Sequence, residues 1–174
     1  MKQGFVKVAS ATPRIRVADP VYNAQVICEQ AKEAAEHGAK IVVFPELCIT
    51  GYTCNDLFLQ ELLLEKAKEA LLTIAEETGQ LETLFLVGLP VDKDGRLYNV
   101  AAVLYRGRIL GMIPKKNIPM YAEFYEGRHF TPGEETVTEY RLGKQVIPFG
   151  SNLLFRCEEL PELILGCELC EDLW

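Results

Sequence analysis

Three side chains able to share one piece of nucleophilic chemistry stand just after apolar segments of this chain. Glu46 follows "KIVVFP", Lys115 follows "RILGMIP", and Cys170 lies in "GCELCEDLW" after "LPELILG". A thiol attacks an electrophilic carbon only once its proton has gone, and a carboxylate can accept that proton. An ammonium can steady the negative charge that then develops. Cys170 poses a problem of its own, because Glu168, Glu171 and Asp172 flank it and hold its proton on. The offset has to come from elsewhere in the chain, and Lys115 is the candidate.

Taken singly, each residue has an ordinary structural reading. Glu46 reads as an exposed carboxylate at a strand end, Lys115 and Lys116 as a solvated pair, Cys170 as a core thiol. Together they form a Glu-Lys-Cys set at the C-terminal ends of three strands, where α/β proteins build their sites. If those strands are neighbours in one sheet, the three heads meet. A zinc site is the rival use of the cysteines. Cys167-x-x-Cys170 is half of such a motif, but the other half would need Cys48 and Cys54, or the isolated His37 and His129. In a strand, residues 167 and 170 also point to opposite faces. No metal is expected, and no Ser/His/Asp order is visible.

The elements that must position these residues have readable ends. "GFVKVASATP" is a first strand. "ADPVYNAQVICEQAKEAAEHGAK" is a helix with Asp19 as N-cap, Pro20 at its first position and Gly38 as its stop. "KIVVFPEL" is a strand buried on both faces. Asp56 is expected to cap a long helix with Leu63, Ala67, Ala70 and Ile74 on one stripe and Gly79 at its end. "TLFLVGLPV", "RLYNVAAVLY" and "RILGMIPK" are strands joined by "DKDG" and "RG" turns into two hairpins. "KNIPMYAEFYEGRHFTPGEE" reads as a long ordered loop, "TVTEYRLGKQVIPFGSNLLF" as hairpin-rich, and "ELPELILGCELC" as a closing strand. The order predicts an α/β fold, a mixed sheet with helices on one face and the other face left to pack on something else.

Composition narrows the function classes. The chain has 174 residues, 49% of them hydrophobic, enough for one domain or most of a larger one. Its formal charge of −7 and the lack of any basic block argue against nucleic acid as a partner. The N-terminal apolar stretch is short and broken by Lys7, so no signal peptide is expected. No apolar run approaches the ~18 residues of a membrane helix. A cytoplasmic protein with its six cysteines reduced is the expectation.

"FPELCITGY", "PKKNIPMYAEFYEGRHFTPG" and "GCELCEDLW" resemble, in order, the three signature regions of the nitrilase, or carbon–nitrogen hydrolase, superfamily. "VASATPRIRVADPVYNA", "PELCITGYTCNDLF", "EFYEGRHF" and "CEDLW" are similar to the glutaminase branch found in glutamine-dependent NAD synthetases. The resemblance spans the whole chain. Met120 departs from the Asn common in that branch, Asn117 from a frequent aromatic, and Cys167 from an aliphatic residue, which makes it a buried, passive neighbour.

The resemblance implies a nitrilase-like four-layer α-β-β-α sandwich. Residues 1–174 would be its N-terminal part, with the rest of that domain and an ATP-dependent synthetase domain expected beyond Trp174. It implies Glu46 as general base, Lys115 as the family's lysine and Cys170 as nucleophile. Glu123 is the best match to a second active-site glutamate, with Glu126 its rival. The implied reaction is hydrolysis of the glutamine amide through a cysteine thioester, with no cofactor. Glu171 would meet the α-ammonium of glutamine, and Tyr52, Tyr121, Phe124 and Trp174 would wall the pocket. The released ammonia would serve synthesis of NAD from deamido-NAD with ATP and Mg²⁺ in the synthetase domain. A homo-oligomer is implied as well, and no membrane partner. Another amidase or carbamoylase of the superfamily, or a non-catalytic interaction module, remains the alternative.

Overall fold

The computed structural model describes residues 4–174. Met1–Gln3, the start of the segment read as lacking a signal peptide, lie outside the described residues. A seven-stranded mixed sheet forms the frame. In chain order its strands are β1 (Val8–Ser10), β2 (Ile41–Val43), β3 (Leu84–Lys93), β4 (Arg96–Tyr105), β5 (Arg108–Pro114), β6 (Thr138–Leu142) and β7 (Gln145–Phe149). Their spatial order is β1-β2-β3-β4-β5-β7-β6. β1, β2 and β3 run parallel, β3, β4 and β5 antiparallel, and β7 pairs parallel to β5 through Met112 and Phe149. Two short strands, β8 (Phe155–Arg156) and β9 (Ile164–Leu165), pair only with each other.

Local sequence explains most boundaries. Helix α1 (Pro20–Glu36) starts where Asp19 accepts a hydrogen bond from the Tyr22 N–H at 3.1 Å. It stops before Gly38, whose φ of +82° suits a residue without a Cβ. Both strand-linking turns have two left-handed central residues, Asp94-Gly95 and Arg106-Gly107. That is the turn whose twist matches antiparallel strands, and it sets the register of β3, β4 and β5.

Helix α2 (Glu61–Glu77) corrects one expectation: Asp56 is not its cap. Asp56 sits inside a separate 3₁₀ turn, Asn55–Leu59, and its carboxylate accepts two hydrogen bonds from Arg128, at 2.7 and 2.9 Å. The distant guanidinium wins the carboxylate, and Gln60 precedes α2 without a side-chain cap. The buried stripe of α2, including Leu63, Ala67, Ala70, Leu71 and Ile74, is as the period predicts.

Alternation along the central strands assigns two faces. Phe85, Val87, Leu89 and Val91 of β3 and Val100, Ala102 and Leu104 of β4 pack with α1 and α2 in the main core. The opposite face is covered by a smaller cluster in which Ala101, Val103 and Ile113 meet Leu169. Leu153 and Phe155 pack against this cluster. The face left without helices is therefore partly covered by the chain's own last segment. This segment is also where the closing strand departs from expectation. Only Ile164–Leu165 is extended in a ladder, and it pairs with β8 outside the main sheet. Leu169 uses its apolar side chain face-on against the sheet, so residues 166–169 add no strand to it.

Candidate active site

Glu46 reaches the helix-free face because the chain after β2 climbs onto β3. Phe44 N–H donates to the Leu86 carbonyl at 2.9 Å, and Ile49 N–H donates to the Gly88 carbonyl at 3.1 Å. Between them the Pro45-Glu46-Leu47 turn lies directly on Gly88. A Cβ there would stand 2.3 Å from the Leu47 nitrogen and 2.8 Å from the Pro45 oxygen. A glycine in mid-strand is thus the condition for this close approach. It lets a turn from β2 cross β3 and present Glu46 toward β4 and β5, so the strands bearing Glu46 and Lys115 need not be neighbours.

Lys115 follows β5 with its N–H donating to the Asn99 carbonyl at 2.8 Å and its carbonyl accepting from Gly133 N–H at 2.8 Å. Its side chain is fully buried, and its Nζ donates to Glu46 Oε1 at 2.8 Å and to Glu126 Oε1 at 2.7 Å. Burial alone would lower the lysine's pKa, but the hydrogen bonds to Glu126 and Glu46 hold it above the usual value. Asn99 joins the two acids, donating through Nδ2 to Glu46 Oε1 at 2.5 Å and to Glu126 Oε2 at 3.4 Å. Tyr52 Oη donates to Glu126 Oε1 at 2.8 Å, and its pKa is raised by burial and by that bond. One ammonium between two carboxylates gives a pocket that keeps Lys115 protonated and fixed in direction.

Cys170 opens a 3₁₀ turn, Cys170–Leu173, with a φ of +49°. A left-handed non-glycine residue is uncommon, and such strain gathers at functional sites. The residue is exposed. Its thiol nevertheless feels the cluster: partial burial raises its pKa, Lys115 pulls it down, and Glu46 and Glu126 raise it further. The net direction is upward, so the resting thiol keeps its proton and needs a base to lose it. Beside it, Tyr121 Oη donates to Glu171 Oε2 at 2.7 Å.

The carbon–nitrogen hydrolase family model matches residues 7–174. The chain belongs to the carbon–nitrogen hydrolase family. It is 39% identical over 173 residues to a glutamine-dependent NAD(+) synthetase of Mycobacterium tuberculosis (strain ATCC 25618 / H37Rv), covering 99% of this chain and 26% of the relative. The chain thus spans about a quarter of the length of the curated relatives it matches. Among solved structures, it resembles a glutamine-dependent NAD(+) synthetase from Cytophaga hutchinsonii. The TM-score there is 0.88 at 29% identity, over 96% of this chain and 28% of that one. An amidase from the nitrilase superfamily, from Nesterenkonia AN1, shares the fold at a TM-score of 0.62 and 24% identity, over 82% and 54% of the two chains. The mixed α/β sheet with helices on one face is thus the nitrilase-like architecture.

In this chain the second acid beside Lys115 is Glu126, and Glu123 is not in the cluster. Glu123 is exposed, whereas Glu126 is 4% exposed and bonded to Lys115. The turn Glu126–Arg128 carries Glu126 inward, anchored by Phe130, which is 5% exposed and packs edge-on with Phe58 at 5.0 Å. Of the expected wall, Tyr52 touches Glu126, and Tyr121 and Phe124 pack edge-to-face at 5.7 Å beside Glu171. Trp174 does not join them, standing 89% exposed. Cys167 is half-buried rather than buried, and the burial it has pushes its thiol up to about 11.

Sequence reasoning missed Asn99 and Asp172. Asn99 is a fully buried polar residue within "RLYNVAAVLY", an otherwise apolar run apart from Arg96, and that mismatch was the available signal. Asp172 accepts hydrogen bonds from the N–H groups of Lys116 and Asn117, and nothing in its own segment announces partners 55 or more residues away. Among the described residues no group of three or more His, Cys, Asp or Glu could hold a metal ion. No helix there is long and apolar enough to cross a membrane.

Proposed function

We propose that the protein carrying this chain hydrolyses the side-chain amide of glutamine through a thioester on Cys170. The observation that supports this most is the buried Lys115 held between Glu46 and Glu126, with the Cys170 thiol in its electrostatic reach. Glu46, 21% exposed, is the acid of the pair open toward that thiol. It accepts the thiol proton as sulfur attacks the carboxamide carbon. The oxyanion that forms is met by Lys115 Nζ, already aimed and already charged. Collapse breaks the C–N bond, the proton held by Glu46 leaves with nitrogen as ammonia, and a thioester remains. Water then gives a proton to Glu46 and its oxygen to the acyl carbon, releasing glutamate and restoring the thiol. Glu126 and Asn99 keep Lys115 and Glu46 in place.

Free glutamine carries an ammonium that the pocket must recognise. Glu171, fixed by Tyr121, supplies a carboxylate beside the nucleophile for that purpose. The identity to glutamine-dependent NAD(+) synthetases supports glutamine as the substrate class. In the full-length protein the ammonia would pass to a synthetase part outside these 174 residues, which would convert deamido-NAD to NAD with ATP and Mg²⁺. A panel of glutamine, a simple aliphatic amide and a carbamoyl compound, offered to the full-length protein, tests the reading. Preferential release of ammonia from glutamine is expected, and preference for either of the others overturns it.

A further inference from the structure

We infer that Asp172 is a positioning residue whose carboxylate ties the turn bearing Cys170 to the backbone bearing Lys115, setting where the thiol stands. The inference rests on the amide-hydrolysis reading and deepens it. The need for such a tie is plain in the geometry. β9 ends at Leu165, outside the main sheet, and residues 166–169 join no ladder. Leu169 is buried against the sheet, but the next residue, Cys170, is exposed and in a left-handed conformation. A strained turn at the surface persists only where its surroundings over-determine it.

Asp172 supplies that constraint from one side chain. Its Oδ1 accepts from Asn117 N–H at 2.6 Å and from Lys116 N–H at 3.0 Å. Its Oδ2 accepts from Lys116 N–H at 3.2 Å and from Leu169 N–H at 3.4 Å. A carboxylate that served only as a cap for its own turn would need Leu169 alone, and here that bond is the longest. The shorter bonds cross to the residues directly after Lys115, whose own backbone is held by Asn99 and Gly133. The Lys116 ammonium pairs with Glu135 instead, so Asp172 acts on backbone N–H groups rather than as a partner in a surface ion pair. These are charge-assisted bonds, stronger and more directional than neutral ones.

The test compares Asp172→Ala and Asp172→Asn in the full-length protein. It reads kcat and KM for glutamine, the melting temperature, and the pH dependence of Cys170 alkylation by iodoacetamide, followed by peptide mass spectrometry. Asp172→Ala is expected to lower kcat by about 100-fold with KM changed by less than about 3-fold, the size of effect a displaced reacting group produces. Asp172→Asn, which keeps one acceptor oxygen, should fall between that variant and the wild type, with kcat lowered by about 3- to 10-fold and the alkylation midpoint moved part of the way. In the Ala variant the freed thiol should also alkylate with a lower midpoint pH, because it leaves its partly buried place beside the two glutamates. An Ala variant with kcat within about 3-fold of the wild type overturns the inference. So does a loss of kcat with an unchanged alkylation profile, the pattern of a residue that matters only to folding. Should the Ala variant show no melting transition, Asp172→Asn decides alone, and an unchanged kcat and midpoint count against the tie. If the wild type releases no ammonia from glutamine, the functional reading fails, yet the alkylation profiles still show whether Asp172 sets the thiol's position.

Discussion

The site has two halves of different construction. The acid–lysine half is part of the protein interior: Lys115 and Asn99 are fully buried, Glu126 nearly so, and Glu46 is pressed onto the sheet by the turn over Gly88. The thiol half is a short exposed turn held by one buried leucine, by backbone N–H groups donating to Asp172 and by Tyr121 donating to Glu171. In the first half, folding and chemistry depend on the same contacts. In the second, chemistry can be removed while the fold stays.

That contrast predicts a graded series in the full-length protein. Lys115→Met has the largest effect, because it leaves the half-buried Glu46 and the buried Glu126 beside each other without their cation. Loss of one partner from a buried pair costs about 3–5 kcal/mol, so denaturant unfolding should show a drop of that size together with loss of ammonia release. Gly88→Ala comes next. Its new Cβ meets backbone, not a flexible side-chain end, so the Glu46 turn must move. Overpacking of this kind costs about 1–3 kcal/mol, and kcat should fall with stability. Asn99→Leu removes the donor shared by two carboxylates, and an uncompensated buried acceptor costs about 1–3 kcal/mol. Its readout is the same unfolding curve. Cys170→Ala should abolish thioester chemistry yet leave the melting temperature within a degree or so of the wild type, since surface changes rarely exceed ±0.5 kcal/mol. A strongly destabilised Cys170→Ala would break the comparison. Asp56→Ala is the smallest. The Asp56–Arg128 pair is exposed on both sides, so calorimetry should register little change even though it braces the turn carrying Glu126.

What the sequence made legible follows the range of the interaction involved. Asp19 and Pro20 mark the start of α1, and Asp94-Gly95 and Arg106-Gly107 mark two hairpin turns, because caps and turns are decided within a few residues. The apolar period of α2 was legible too, but Asp56 was not, since its partner Arg128 lies in a different loop. The same limit separates Glu123 from Glu126. Both stand in a loop without a period, and Glu126 is the one turned inward, held by Lys115 and Tyr52, residues remote from it in the chain. "ELPELILGCELC" looked like a closing strand because apolar runs usually are, yet only Ile164–Leu165 pairs, with β8, and Leu169 packs on the main sheet's face. Gly88 was visible only as a glycine inside a strand. Its role as the seat of the Glu46 turn needed the fold.

Glu46, Lys115 and Cys170 are proposed to act as one pocket that forms a thioester with glutamine. The most direct measurement is acid quench of the full-length protein during glutamine turnover, with mass spectrometry of its peptides. A γ-glutamyl group is expected on the peptide containing Cys170, absent when Glu46 is replaced by Gln. Steady glutamine hydrolysis by a Cys170→Ala protein, or an acyl group found on another residue, would contradict it.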